Sequence, residues 1–334
     1  MIRKIFYIPY TFFLILTSCT TDSFDIDVSK VFVKQDYIDL DSLFSISNSS
    51  LYSELKKIDS GEILSYELEH CLGIGSLNDS TTKLSLSKFN QDPYISRVEK
   101  HINSSIRPNF STYKNAIIDG FRHLKYYFPH GKLPNKIIFM NSLYASSVFC
   151  TQNEIGVGLE RYLGEKTDVI EELPTQEFFQ WMKEGMNKDF LVRDVLTTWI
   201  FTHYFQHTDG TLVEQMIRWG KVFYLLEACL PDQPKHVLIR YTQNDFDWAI
   251  KNEFQSWKYL VSQELVFSKN ERDISNFLNE GPFTVGLPEK GPDRIGQYLG
   301  WKIVHSYMEQ NENISLKQLL KTPYNQILQS YKID

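Results

Sequence analysis

Apolar positions recur at helical spacing over most of the chain and change to a strand-like period in one short stretch. Phe110, Tyr113, Ile117, Phe121, Leu124 and Phe128 fall three or four residues apart. This predicts an amphipathic helix over 110–128, stopped by Pro129 and Gly131. Three short apolar runs follow, at 136–140, 145–150 and 155–159, and read as strands. Gln152-Asn153 supplies a turn that makes the last two a hairpin. Upstream, Asp92-Pro93 has the form of an N-cap followed by proline at the first helical position, opening a helix through Ile95, Val98 and Ile102. Residues 26–44 mix an alternating run at Val31 and Val33 with a short helix from Ile38 to Phe44. Residues 45–91, rich in Ser, Asn and Asp, give weak signals.

From Thr175 onward the pattern is mostly helical, with candidate helices at 189–207, 211–230, 242–261 and 292–308. Asp209-Gly210 separates the first two and Pro231 ends the second. Ser315 with Gln318 forms a capping box, and Thr322-Pro323 marks another helix start. There is no internal repeat, and no linker divides the chain after residue 90. The order of helix, small sheet and many helices predicts an α+β architecture, mostly helical, in one globular domain over 31–334.

The N-terminus stands apart from this pattern. Arg3 and Lys4 precede a short apolar stretch from Phe6 to Leu16, and Leu16-Thr17-Ser18-Cys19 follows. A stretch this short does not span a bilayer, which takes about 20 apolar residues. It reads as a signal peptide over 1–18, with a bacterial lipobox at which cleavage frees Cys19 for acylation. Residues 19–30 are then the anchor and a short tether. The expected location is the cell envelope, with a lipid such as palmitate on Cys19 as the membrane attachment.

Composition narrows the partners more than it names a function. The 334 residues carry 35 Lys and Arg against 41 Asp and Glu, a net charge of −6. The acidic balance and the lack of a basic run argue against nucleic acid. Neither a dinucleotide-binding nor a phosphate-loop glycine motif occurs. Cys71, Cys150 and Cys229 match no zinc spacing. They read as small buried thiols, with one disulfide left open by the oxidising compartment.

One constellation has metal-site form. His203-Tyr204-Phe205-Gln206-His207 places two imidazoles at i and i+4, on one face of a helix. Glu214, beyond the Asp209-Gly210 turn, is the candidate third ligand, with Glu227 the more distant choice. A helical metallopeptidase also needs a general base beside the first histidine, and Tyr204, with an unperturbed pKa of about 10, serves poorly near neutral pH. The bland alternative is a pair of surface or interface histidines. Arg294, near the start of a helix opened by Pro292, offers a guanidinium to a peptide carboxylate. Its alternative is an internal ion pair, for which Glu253 is a candidate. Gly296 and Gly300 leave a flat helix face for close approach of another helix. The six tryptophans are most simply core.

Several segments carry a family resemblance. Thr211-Leu212-Val213-Glu214-Gln215-Met216-Ile217-Arg218-Trp219-Gly220-Lys221 with Leu230-Pro231, Trp248 with Asn252-Glu253 and Trp257, Pro282-Phe283, and Gly291-Pro292-Asp293-Arg294-Ile295-Gly296-Gln297-Tyr298-Leu299-Gly300-Trp301 together resemble the GldB family of gliding-motility lipoproteins of Bacteroidota. That family is itself distantly similar to predicted zinc proteases of zincin-like fold with His-Glu-x-x-His and a later Glu-Gly. The resemblance implies a zincin-like domain in which Tyr204 stands at the base position and Trp219 at the late-acid position. It therefore implies a non-catalytic binding or accessory component of the gliding or envelope machinery, without a cofactor, and with Arg294, Trp219 and Tyr204 as binding residues. The competing expectation is a zinc peptidase with zinc held by His203, His207 and Glu214.

Overall fold

The computed structural model describes residues 24–44, 54–55, 58, 61–206 and 209–332. The stretch expected to be a signal peptide, Cys19 and His207 lie outside the described residues. A four-stranded sheet is built from β1 (Asp36–Asp39), β2 (Lys136–Met140), β3 (Val148–Cys150) and β4 (Glu154–Gly158), in the order β1-β2-β4-β3. β1 and β4 run parallel to β2, with Tyr37 opposite Ile137 and Ile155 opposite Ile137 on the other side. β3 pairs antiparallel with β4, the hairpin read from the sequence.

Alternation along β2 divides the apolar interior. Ile137 and Phe139 face the large helical core, whereas Ile138 and Met140 face a smaller cluster with Leu40, Ile63, Leu68 and Leu86. The large core is made by helices α1 (Pro93–His101), α2 (Phe110–Tyr127), α3 (Leu191–Tyr204), α4 (Leu212–Cys229), α5 (Gln243–Lys251), α6 (Glu253–Ser262), α7 (Glu271–Leu278) and α8 (Ile295–Glu309), with shorter helical segments between them. The α+β, mostly helical expectation holds. Asp92 caps α1 by accepting from the backbone N–H of Tyr94 and Ile95 at 2.8 and 3.1 Å. Ile117, Phe121 and Leu124 are the buried stripe of α2. Three cysteines, Cys71, Cys150 and Cys229, are free thiols.

α4 and α8 form the central helix pair, and two glycines set their separation. A Cβ on Gly220 would lie 2.0 Å from the Gly300 carbonyl oxygen, and one on Gly300 would lie 1.8 Å from that of Met216. The two backbones therefore touch, which no other residue type permits. The flat face expected of Gly296 and Gly300 serves two neighbours: Gly300 meets α4, and Gly296 meets Phe277 at the end of α7.

Several boundaries differ from the sequence reading, each for a local reason. The helix expected over 189–207 begins as a 3-10 turn at Lys188–Phe190 and ends at Tyr204, because Phe205 is extended (φ −124°, ψ 132°). The one expected over 242–261 breaks at Asn252 (φ −112°, ψ 15°) into α5 and α6. The last long helix starts at Ile295 rather than Pro292, since Arg294 is left-handed (φ 49°). β3 is shorter than expected because Leu143 and Tyr144 have positive φ. β1, unpredicted as a strand, is ordered by pairing with β2 nearly a hundred residues later.

Candidate functional site

α3 carries the first half of the metal constellation and holds it in another role. His203 Nδ1 lies 3.1 Å from the Trp199 carbonyl oxygen, and its ring stacks on the Trp199 indole at 3.7 Å. Burial lowers its pKa and favours the neutral imidazole. Tyr204 donates its hydroxyl to the Lys132 carbonyl at 3.0 Å and packs edge-on against Phe128. Trp199 Nε1 donates to the same carbonyl at 2.9 Å. Burial raises the Tyr204 pKa, taking it further from a base. The helix ends there, so the i, i+4 geometry proposed for His203 and His207 is not continued by helical backbone.

The candidate acids are also engaged. Glu214 closes the capping box of α4, accepting from the Thr211 N–H at 2.6 Å and its hydroxyl at 3.0 Å. This local pairing turns its carboxylate to its own helix start instead of toward a metal. Glu227 is buried and accepts from Trp301 Nε1 at 3.2 Å, with His305 Nε2 at 2.7 Å and the Lys235 ammonium also on it. Among the described residues, no three His, Cys, Asp or Glu side chains converge as a metal-binding group.

Arg294 and Trp219 are brought to one place, and Tyr204 is not. Both line a cavity of about 640 Å³ whose wall also holds Arg161, Arg193, Asp194 and Arg240. Trp219 stacks on Phe201 at 4.7 Å and packs against the core residue Phe223 at 5.6 Å. Arg294 forms the internal ion pair weighed for it, but with Asp293 (2.9 Å) and Glu280 (3.5 Å). The suggested partner Glu253 instead accepts from the hydroxyls of Tyr298 and Tyr331, each at 3.0 Å.

The cavity charges interlock. Asp194 Oδ1 accepts from Arg193 at 2.6 Å, and its Oδ2 accepts from Tyr162 at 3.0 Å and from Arg240 Nε at 3.4 Å. Burial pushes the Asp194 pKa up, but Arg240 and Arg193 outweigh it and hold the carboxyl below its ordinary value. Burial lowers the pKa of Arg161 and Arg193. It raises that of Asp293, which Arg294 opposes. Tyr144, Arg240 and Arg294 are three of the five non-glycine residues with positive φ among the described residues, and each positions a guanidinium at this wall or anchors one. Left-handed backbone at such residues costs free energy that the surrounding contacts must offset.

Arg161, Arg193, Arg240 and Asp194 were not singled out from the sequence. One signal was there: Arg193-Asp194 interrupts the apolar run Leu191 to Ile200 with adjacent opposite charges, the pattern of a buried pair. Arg161, in a short 3-10 helix, and Arg240 and Glu280, outside the helices, lie far apart in the chain and carry no local signal.

The family model described as gliding motility protein GldB matches residues 21–333. No curated protein and no solved structure matches the chain.

Proposed function

The chain belongs to the GldB gliding motility family, and from that premise we propose that it is a lipid-anchored component of the gliding or envelope machinery that works by binding rather than by catalysis. The observation supporting this most is the separation of the candidate residues. His203, Tyr204 and Glu214 are each committed to the fold by a close hydrogen bond, whereas Arg294 and Trp219 face a shared cavity. That cavity offers guanidinium groups and aromatic faces, which recognise a partner by charge and shape. Attachment through acylated Cys19 fits a body in which no described helix is long and apolar enough to cross a membrane.

Two experiments test the two parts. In palmitate labelling, Cys19→Ser abolishes the labelled mature form; persistent label places the anchor elsewhere. For the non-catalytic part, metal analysis and a broad peptide-cleavage screen compare the wild type with a His203→Ala, His207→Ala double variant. The reading expects no stoichiometric zinc and no cleavage above the double variant. One zinc per chain lost in that variant, with metal-dependent cleavage, would restore the peptidase alternative.

A further inference from the structure

The cavity holds more positive than negative buried charge. Four guanidinium groups line it, and the carboxylates buried with them are Asp194 and Asp293. Asp194 is used up between Arg193 and Arg240, and Asp293 lies on Arg294 Nε. Arg161 has no carboxylate within ion-pair distance among the described residues. It donates to the Tyr144 carbonyl and lies over the Phe178 ring at 5.6 Å, and its Nε is buried without an acceptor. The neighbouring Glu160 does not serve it, because that carboxylate is turned inward to the Ser142 hydroxyl (2.6 Å) and the Tyr144 N–H (2.8 Å).

The remaining charge is met by a half-exposed carboxylate, that of Glu280. Glu280 accepts from Arg240 Nη1 at 2.8 Å and Arg294 Nη1 at 3.5 Å, bridging the two, yet about half of its side chain (51%) is in solvent. Both arginines are fixed from behind: Arg240 Nη2 donates to the Gly185 carbonyl at 3.0 Å, and Arg294 Nη2 donates to the Arg240 carbonyl at 3.1 Å. The receptor groups are thus rigid and buried, and the carboxylate they hold is exposed and attached only through its own chain. Glu184 and Asp245 also line the cavity, so an entering anion meets carboxylates as well as guanidinium groups.

We propose that this cavity is a binding site for a carboxylate side chain of a partner protein, and that Glu280 is an internal occupant which the incoming carboxylate displaces. Two guanidinium groups that each give one N–H to a carboxylate oxygen can give the same N–H to another carboxylate, and Arg161 offers a further donor to it. Trp219 and Trp181 in the lining provide apolar faces for the chain that carries it. The site deepens the binding role proposed above and rests on it for the partner being a protein.

The test is calorimetric titration of the full-length, detergent-solubilised protein with the peptide Ac-Ala-Glu-Ala-NH2. Ac-Ala-Gln-Ala-NH2 and inorganic phosphate form parallel arms. Glu280→Gln removes the competing charge and should tighten the glutamate peptide by about tenfold, the scale of one charge-assisted contact released for the ligand. Glu280→Asp, which keeps the charge, should stay near wild type. Arg161→Gln in the Glu280→Gln background should lose the gain, with an unchanged melting temperature separating this from unfolding. Equal affinity in wild type and Glu280→Gln overturns the proposal, as does equal binding of the glutamine peptide. Tighter binding of phosphate than of the glutamate peptide does so too, assigning the site to a phosphate instead. Should Glu280→Gln not fold, Glu280→Ala removes the same charge and is read in the same way. Peptide binding here without any captured partner would keep the site and remove the accessory role. A captured partner indifferent to Glu280→Gln would do the reverse.

Discussion

Among the carboxyl groups that the molecule buries, those of Asp194 and Glu67 are kept in opposite states. Around the cavity, Asp194 sits between Arg193 and Arg240 and stays ionised despite its burial. Behind the sheet, Glu67 has neither oxygen paired to a cation among the described residues. Burial, with the charge of nearby Glu160 adding to it, pushes its pKa up to about 8. The first place holds charge that is compensated and can be exchanged for other charge. The second avoids charge by holding its proton. Burial alone therefore does not decide what a carboxyl contributes; the partner within reach does.

The comparison breaks most visibly at Asp194. Asp194→Ala leaves Arg193 and Arg240 buried without their shared partner and should lower stability by about 3–5 kcal/mol in chemical denaturation. A change below about 1 kcal/mol would mean the guanidinium groups are solvated, and the compensated-charge description would fail.

Glu67→Gln should act in the other direction and only at higher pH. A folded pKa of about 8 lies above the ordinary 4.5, so the stability linked to the proton is complete below about pH 4.5. It drains away as pH rises toward 8. The variant should match wild type near pH 4.5 and exceed it at pH 7 by an amount on the order of 3 kcal/mol. A stability difference that is flat across this window would show that Glu67 ionises freely.

Two smaller effects refine the cavity side. Arg294→Ala should cost about 2–3 kcal/mol, less than Asp194→Ala, because Asp293 can relieve its isolation by taking up a proton. If the loss instead equals that of Asp194→Ala, Asp293 stays charged without its partner. Glu280→Ala should change stability by less than about 1 kcal/mol, since its carboxylate is half in solvent. A larger loss in thermal melts would make Glu280 a structural strut and not an exchangeable occupant.

The parts of this molecule that were legible in its sequence are those in which neighbouring residues decide the outcome. The α2 stripe, the Asp92 cap and the β3–β4 turn each depend on contacts within a few positions. β1 was hidden because its ladder is supplied by β2, from the far side of several helices. The break at Asn252 was hidden because apolar spacing continues through it while the backbone does not. For the site, Arg294 was legible from its place at a helix start and Trp219 through family resemblance, whereas Arg161, Arg240 and Glu280 come together only when three distant segments meet. Glycine pairing across α4 and α8 was half visible: Gly300 was read as a surface for close approach, and Gly220 as its counterpart emerges only from the crossing.

The central claim is that this GldB-family chain acts through its arginine-lined cavity and not through its histidines. The most direct measurement is complementation of a gliding strain lacking the chain, scored by colony spreading with membrane levels of each variant matched. Arg161→Gln and Trp219→Ala are predicted to abolish spreading, and the His203→Ala, His207→Ala double variant to restore it as wild type does. Full spreading by the two cavity variants, with loss in the histidine double variant, would contradict the account.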